Sequence, residues 1–221
     1  MQDRDSAEAY IVKRYQLWRR WPTSFEYKHA KGARIARIVE DTGPMVPLAL
    51  EIGVGPGGVA TAVSRSGVKV IGVDLSPDAL IWAKKHCEGE RVALMRASGF
   101  ALPFADASFK LVYASQVLHL FDSPQRLEIL KEVHRVLAAE GRFIFDLKNA
   151  FSHPVRYLRS SAERQRRNFP SHREIVALIE NGGFRRTTTR PGLLPGFPTP
   201  RVPNLGLLRR LAHTTFFVAT K

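Results

Sequence analysis

The chain predicts an α/β fold: a mostly parallel sheet with helices on both faces, finished by an antiparallel C-terminal strand. Three observations carry this. Short apolar segments recur at the spacing of alternating units: "LALEIG", "VKVIGVD", "RVALMR", "KLVYAS" and "RFIFDL". Helix signals fall between them, and strands this apolar suit a sheet covered on both sides. The last two β-like runs, "FRRTTTR" and "HTTFFVATK", have no strong helix between them, so they add to the sheet as an antiparallel pair.

Taken in order, residues 9–41 read as helical, with Ile35, Ile38 and Val39 at helical spacing. Gly43-Pro44 and Pro47 break that pattern before the first strand. Ser76-Pro77-Asp78 starts a helix with a capping hydroxyl, a first-turn proline and an acid at the positive dipole end. Ser123-Pro124 opens another, with Leu127, Leu130, Val133 and Leu137 on one apolar face and Gly141 as its stop. "SHREIVALIENGGF" is a compact helix with a capping box, Ser171 and Glu174, and a glycine end at Gly182-Gly183. Residues 191–212 contain five prolines and read as an irregular excursion. The whole is one domain over 1–221: a helical cap at 1–45, a core at 48–147, and additions with the terminal strand pair at 148–221.

At 221 residues, 44% hydrophobic and 24% charged, the composition is that of a soluble globular protein. No apolar run reaches the roughly 18 residues of a membrane helix, and "MQDRDSAEAY" does not resemble a signal peptide, so a cytoplasmic protein is expected. The single cysteine, Cys87, excludes an internal disulfide and a cysteine zinc cluster, and reads as a helix-end packing residue. The seven histidines are scattered without metal spacing, so no metal site is expected. Of the net charge of +14, residues 151–221 hold +10, with 13 Lys/Arg against 3 Asp/Glu. A field of one sign attracts anions.

"LALEIGVGPGGVA", Leu48 to Ala60, holds the densest glycines. Gly53, Gly55 and Gly57 read as G-x-G-x-G, a loop for S-adenosylmethionine; Gly53, Gly55 and Gly58 read as G-x-G-x-x-G, a loop for a dinucleotide such as NAD. After the first strand of such a sheet, this loop sits at the carboxyl edge where ligands bind. Asp74 ends the second strand, 21 residues after Gly53, placed to accept from ribose hydroxyls. Both cofactors contain a ribose, so Asp74 does not decide. Glu51, just before the glycines, would repel a pyrophosphate and suits a sulfonium and an amino group. The Tyr-x-x-x-Lys pair of short-chain hydride chemistry occurs only as Tyr27 and Lys31, before the loop.

"LEIGVGPG", "VIGVDLSPDAL", "ALPFADASFKLVYASQVLHLF", "EVHRVLAAEGRFIF" and "ENGGF" follow one another over roughly residues 48–185. In these stretches the chain resembles the class I S-adenosylmethionine-dependent methyltransferases, in the small-molecule branch. The resemblance implies a Rossmann-like seven-stranded sheet with an antiparallel last strand. It also implies S-adenosylmethionine as cofactor and S-adenosylhomocysteine as product. It assigns Glu51, Gly53, Gly55 and Gly57 to the methionine part, Asp74 to the ribose and Leu75 to the adenine, with Ser98, Gly99, Phe100 and Ser115 completing the cofactor set. Many members carry an acid where Ser98 stands, accepting from the adenine amino group; a serine hydroxyl accepts more weakly. Phe100 can stack on the ring or belong to the core.

By the same resemblance, "SQVLHLF" faces the cofactor methyl, which makes His119 the candidate catalytic base; the bland reading is that it orders the loop. His134 reads as structural. No Asn/Asp-Pro-Pro-Tyr/Phe sequence follows the fourth strand, which disfavours amino-methylation of nucleic-acid bases. Acceptor pockets in this fold are built by the N-terminal helices and by residues 148–170 and 190–212. These carry Arg156, Arg159, Arg164, Arg166 and Arg167, and Arg190, Arg201, Arg209 and Arg210. The N-terminal region adds Tyr10, Tyr15, Trp18, Trp21, Phe25 and Tyr27. The expected partner is a small, anionic or amphipathic acceptor. The alternatives are an RNA or protein methyltransferase using the basic half, and a cofactor-binding protein without turnover.

Overall fold

The computed structural model describes residues 4–18, 24–148, 172–191 and 214–221. Two N-terminal helices, α1 (Arg4–Trp18) and α2 (Ser24–Thr42), occupy the region that reads as helical over 9–41. The strands are β1 (Leu48–Ile52), β2 (Lys69–Asp74), β3 (Val92–Arg96), β4 (Phe109–Ala114), β5 (Leu137–Lys148), β6 (Arg186–Pro191) and β7 (Thr214–Thr220). They form a seven-stranded sheet in the order β3-β2-β1-β4-β5-β7-β6. The β1 to β5 neighbours all pair in parallel, whereas β7 runs antiparallel between β5 and β6. This is the Rossmann-like sheet with an antiparallel last strand.

Side-chain alternation along β4 divides the core. Leu111 and Tyr113 face Ile35, Ile38 and Val39 of α2, Val59 and Val63 of α3 (Gly58–Ser64), and Ala83 of α4 (Pro77–His86). Val112 and Ala114 face Ile129, Leu130 and Val133 of α5 (Ser123–Val136) and Ile175 and Ile179 of α6 (His172–Asn181). Only strands away from the sheet edge are buried on both faces. β3 is one of the two edge strands, and Met95 is 42% exposed there, where an apolar strand covered on both sides was expected.

Helix starts follow the expected chemistry. The Ser76 hydroxyl accepts from the Ala79 N–H, and Lys84, Lys85 and His86 sit at the negative end of α4. The cap of α5 is Asp122, which exchanges hydrogen bonds with Gln125 in a capping box. Cys87 is buried at the end of α4, as expected. The end of α5 is a correction. The helix stops at Val136, and Leu137 already pairs with Phe109 in the sheet. Gly141 lies inside β5 at an irregularity in its register, where a Cβ would stand 2.7 Å from the Ala138 carbonyl oxygen. The expected capping box of α6 involves Ser171, which lies outside the described residues.

Candidate functional site

A pocket opens at the carboxyl ends of β1, β2, β3 and β4, where the strand order reverses between β1 and β4. Its floor is the glycine loop. The Gly53 and Val54 N–H groups both donate to the Val73 carbonyl, at 2.8 and 3.0 Å, which folds the chain sharply away from the sheet. Gly53 has φ +70°, and a Cβ there would lie 2.4 Å from Val117 Cγ2. Gly55, at φ +53°, has only the Gly53 carbonyl oxygen near where a Cβ would stand, at 4.0 Å, and leaves the backbone bare toward the pocket. Gly57 serves packing: a Cβ there would meet Cys87 Sγ at 2.5 Å, and Gly57 is not a wall of the pocket.

Asp74 ties loop to strand. Its Oδ2 accepts from the Gly55 N–H at 2.9 Å and its Oδ1 from the Ser76 N–H at 3.0 Å. Burial raises its pKa, and those amides together with Lys28 pull the other way. Leu75 lies beside it, and Ala97, Ser98, Gly99 and Phe100 form the next stretch of wall. Phe100 packs edge-on against Phe121 at 5.2 Å and also lines the pocket, so core and site share it. The Ser98 hydroxyl donates to Glu8 of α1 and accepts from the Phe100 N–H at 3.1 Å.

The opposite end is polar and buried. Lys28 Nζ donates to the Ser115 carbonyl at 3.0 Å, and burial lowers its pKa. Asp146 accepts from the Gln116 N–H at 2.7 Å and pairs with Lys31, both groups about 1% exposed. This pins the turn that carries Gln116, held at φ 58°, and leads to the short 3₁₀ turn Leu118–Leu120. Arg126, buried beneath, donates to the Leu118 carbonyl at 2.8 Å; burial lowers its pKa to about 10. His119 on that turn lines the pocket. Glu51 lies behind the wall, 1% exposed, its pKa raised to about 8 chiefly by burial. Three buried oxygens at this end, Glu51 Oε2, Ser115 Oγ and Gln116 Oε1, have no hydrogen-bond partner among the described residues.

Gly53, Gly55, Asp74, Leu75, Ser98, Gly99, Phe100, Ser115 and His119 thus meet around one pocket, whereas Glu51 and Gly57 stand outside its walls. The sequence reading missed Glu8, Ile11, Lys28 and Gln116. One signal was available: Lys28 and Lys31 continue the stripe of Ile35 and Ile38 on α2, and a cation in a core register needs a buried partner. His134 packs on Phe184 at 5.4 Å, away from the pocket. The Arg156–Arg167 cluster and Arg201, Arg209 and Arg210 lie outside the described residues. Among the described residues, no three His, Cys, Asp or Glu side chains form a metal-binding group, and no helix is long and apolar enough to cross a membrane.

Sheet order, glycine loop and strand-end acid together define a class: this is the fold of the class I S-adenosylmethionine-dependent methyltransferases. Residues 50–145 match the family model described as a methyltransferase domain. It is 36% identical over 118 residues to an uncharacterized methyltransferase of Mycobacterium tuberculosis, covering 47% of this chain and 46% of that protein. It is 32% identical over 132 residues to the ubiquinone/menaquinone biosynthesis C-methyltransferase UbiE of Geotalea uraniireducens, covering 58% and 50%. The chain therefore spans about half the length of the curated relatives it matches. A solved S-adenosylmethionine-dependent methyltransferase from Thermotoga maritima superposes with a TM-score of 0.67 at 22% identity, covering 97% of each chain.

Proposed function

We propose that the chain transfers a methyl group from S-adenosylmethionine to a small anionic or amphipathic acceptor. The observation that carries this is the two-ended pocket. A bare glycine backbone tied to Asp74 lies beside an apolar slot of Leu75, Ala97 and Phe100. Lys28 and the unpartnered oxygens of Ser115 and Gln116 lie at the other end. A ribose, a planar ring and a zwitterionic amino-acid tail ask for those three environments in one ligand. In this reading Asp74 holds the ribose hydroxyls, Leu75, Gly99 and Phe100 flank the ring, and Lys28 faces the tail carboxylate. Gly53, Gly55, Ser115 and Gln116 border the tail. Glu51 acts from behind the wall as a buried acid beside Lys28, leaving the lysine's charge to the ligand, and Gly57 acts by seating the loop on α4.

The cofactor supplies a methyl group on a sulfonium, so the protein's task is to align an acceptor and exclude water. His119 is the base in this reading, taking the proton of a hydroxyl acceptor; an amine, thiolate or enolate needs less help. The net +10 of residues 151–221 supports an anionic acceptor. The relative named for ubiquinone/menaquinone C-methylation supports an amphipathic one. The same charge also favours a second reading, a polyanion acceptor such as RNA.

Isothermal titration tests the cofactor first: S-adenosylhomocysteine should bind and NAD should not. NAD binding more tightly than S-adenosylhomocysteine would overturn the proposal. Labelled S-adenosylmethionine with a metabolite extract, followed by mass spectrometry, then finds the acceptor. Label appearing only in RNA or protein would replace the small-molecule reading.

A further inference from the structure

The base-recognition wall of the pocket has an acid, and it comes from the first helix. We propose that Glu8 of α1 is the specificity-determining residue for the cofactor's purine, accepting from the ring amino group. This rests on the cofactor assignment above.

The argument is one of donors and acceptors. Around Leu75, Ala97 and Phe100 the pocket is apolar, and its polar side chains there are Ser98 and Glu8. The Ser98 hydroxyl is already committed: its proton goes to Glu8 and it accepts from the Phe100 N–H. It has no proton left to give a ligand. Glu8 uses one oxygen, Oε1, on Ser98 and keeps acceptor sites on a carboxylate with no donor of its own. A ring edge entering this wall therefore meets an acceptor and a negative charge. A 6-amino purine satisfies it. A 6-oxo purine places O6, an acceptor, where the amine's donor stood, and its N1–H reaches the carboxylate only with a shift of the ring, so it binds less well in a site built around the 6-amino donor.

Helix α1 is anchored for this task. Ala7 is buried in the core beside Glu8, Ile11 lines the pocket one turn on, and the Arg4 guanidinium lies 4.9 Å over the Phe100 ring. The helix thus grips the Ser98–Phe100 segment from two sides of Glu8. A carboxylate 90 residues away in sequence stands where Ser98 alone offers a weak acceptor.

The test is the ratio of affinities for S-adenosylhomocysteine and S-inosylhomocysteine, its 6-oxo analogue, in the parent, Glu8→Gln and Ser98→Ala. The parent should prefer the adenosyl ligand at least tenfold. Glu8→Gln, whose amide both donates and accepts, should narrow that ratio about tenfold, mainly by weakening the adenosyl ligand. Ser98→Ala should keep the ratio within about threefold, since Glu8 remains. If Glu8→Gln weakens both ligands equally, Glu8 is only a tether between α1 and the wall, and the proposal fails. A parent that does not discriminate sinks it as well, even if Glu8→Gln does not fold. A parent that binds neither ligand overturns the cofactor assignment itself, a distinct result.

Discussion

Two walls of the pocket are built by different physics. One hangs from the strand ends: Gly53, Gly55, Asp74, Ala97 and Ser115. Its shape is set by backbone, with the Gly53 and Val54 amides on the Val73 carbonyl and the Gly55 amide on Asp74. The other is brought by helices: Glu8 and Ile11 on α1, Lys28 on α2. Its position is set by side chains reaching far along the chain, Lys28 to the Ser115 carbonyl and Lys31 to Asp146. The strand wall inherits the rigidity of the sheet. The helix wall holds its place through a few buried charges, and a buried charge left without its partner is costly. The two walls should therefore fail differently: the helix wall through stability, the strand wall through ligand affinity.

The largest expected effect breaks the helix wall. Lys31→Met leaves Asp146 buried without its ion-pair partner, with the Gln116 N–H and the nearby Lys28 charge remaining. Removing one member of a buried pair costs about 3–5 kcal/mol. Urea unfolding should show that loss, and the double variant Lys31→Met/Asp146→Asn should recover a large part of it. A loss under about 1 kcal/mol in the single variant would mean that this pair does not hold α2 to the sheet.

The next effect is on the strand wall. Asp74→Ala removes the charged acceptor proposed for the ribose, and should weaken S-adenosylhomocysteine by about 1.5–3 kcal/mol. That is roughly a tenfold to hundredfold rise in Kd, read by titration calorimetry on a variant with parental circular dichroism. Asp74 also accepts from Gly55 and Ser76, so Asp74→Asn, which retains one acceptor oxygen, should fall between parent and Ala. Parental affinity in the Ala variant would remove Asp74 from the proposed site.

The same division explains what the sequence made legible. Glycines, Asp74 and the strand ends are local: their spacing along the chain is their spacing in the fold. Cap residues such as Ser76 are legible for the same reason. Glu8 and Lys28 meet their partners 90 and 87 residues away, and no periodicity reports such a meeting. The α5–β5 boundary was misjudged because Gly141 carries a stop signal, while the chain had already turned into the sheet at Leu137. Edge exposure of β3 depends on strand order, which local pattern does not contain.

A pH-dependent effect lies where the two walls meet, at Glu51. The residue belongs to β1, and Lys28 of α2 is the charge that most opposes its upward shift. Burial raises its pKa from an ordinary 4.5 to about 8. Between those values the folded chain keeps a proton that the unfolded chain has shed, so stability falls as pH rises through the window. The contribution is intact below about pH 4.5 and lost by about pH 8. Asp74, also raised by burial, adds a slope of the same sign just above the ordinary aspartate range. Lys28, lowered by burial, works the other way below 10.5, where the folded state releases a proton that the unfolded state retains. Glu51→Gln copies the protonated carboxyl and cannot ionise. It should match the parent's thermal midpoint at pH 5 and exceed it at pH 8, flattening the decline without abolishing the part that belongs to Asp74. Differential scanning calorimetry across that range decides it. If both proteins decline equally, Glu51 is ionised throughout and held by Lys28, and the junction between the walls is an ion pair. If the decline flattens as expected, the junction is a neutral acid beside a lysine whose charge is left for the ligand.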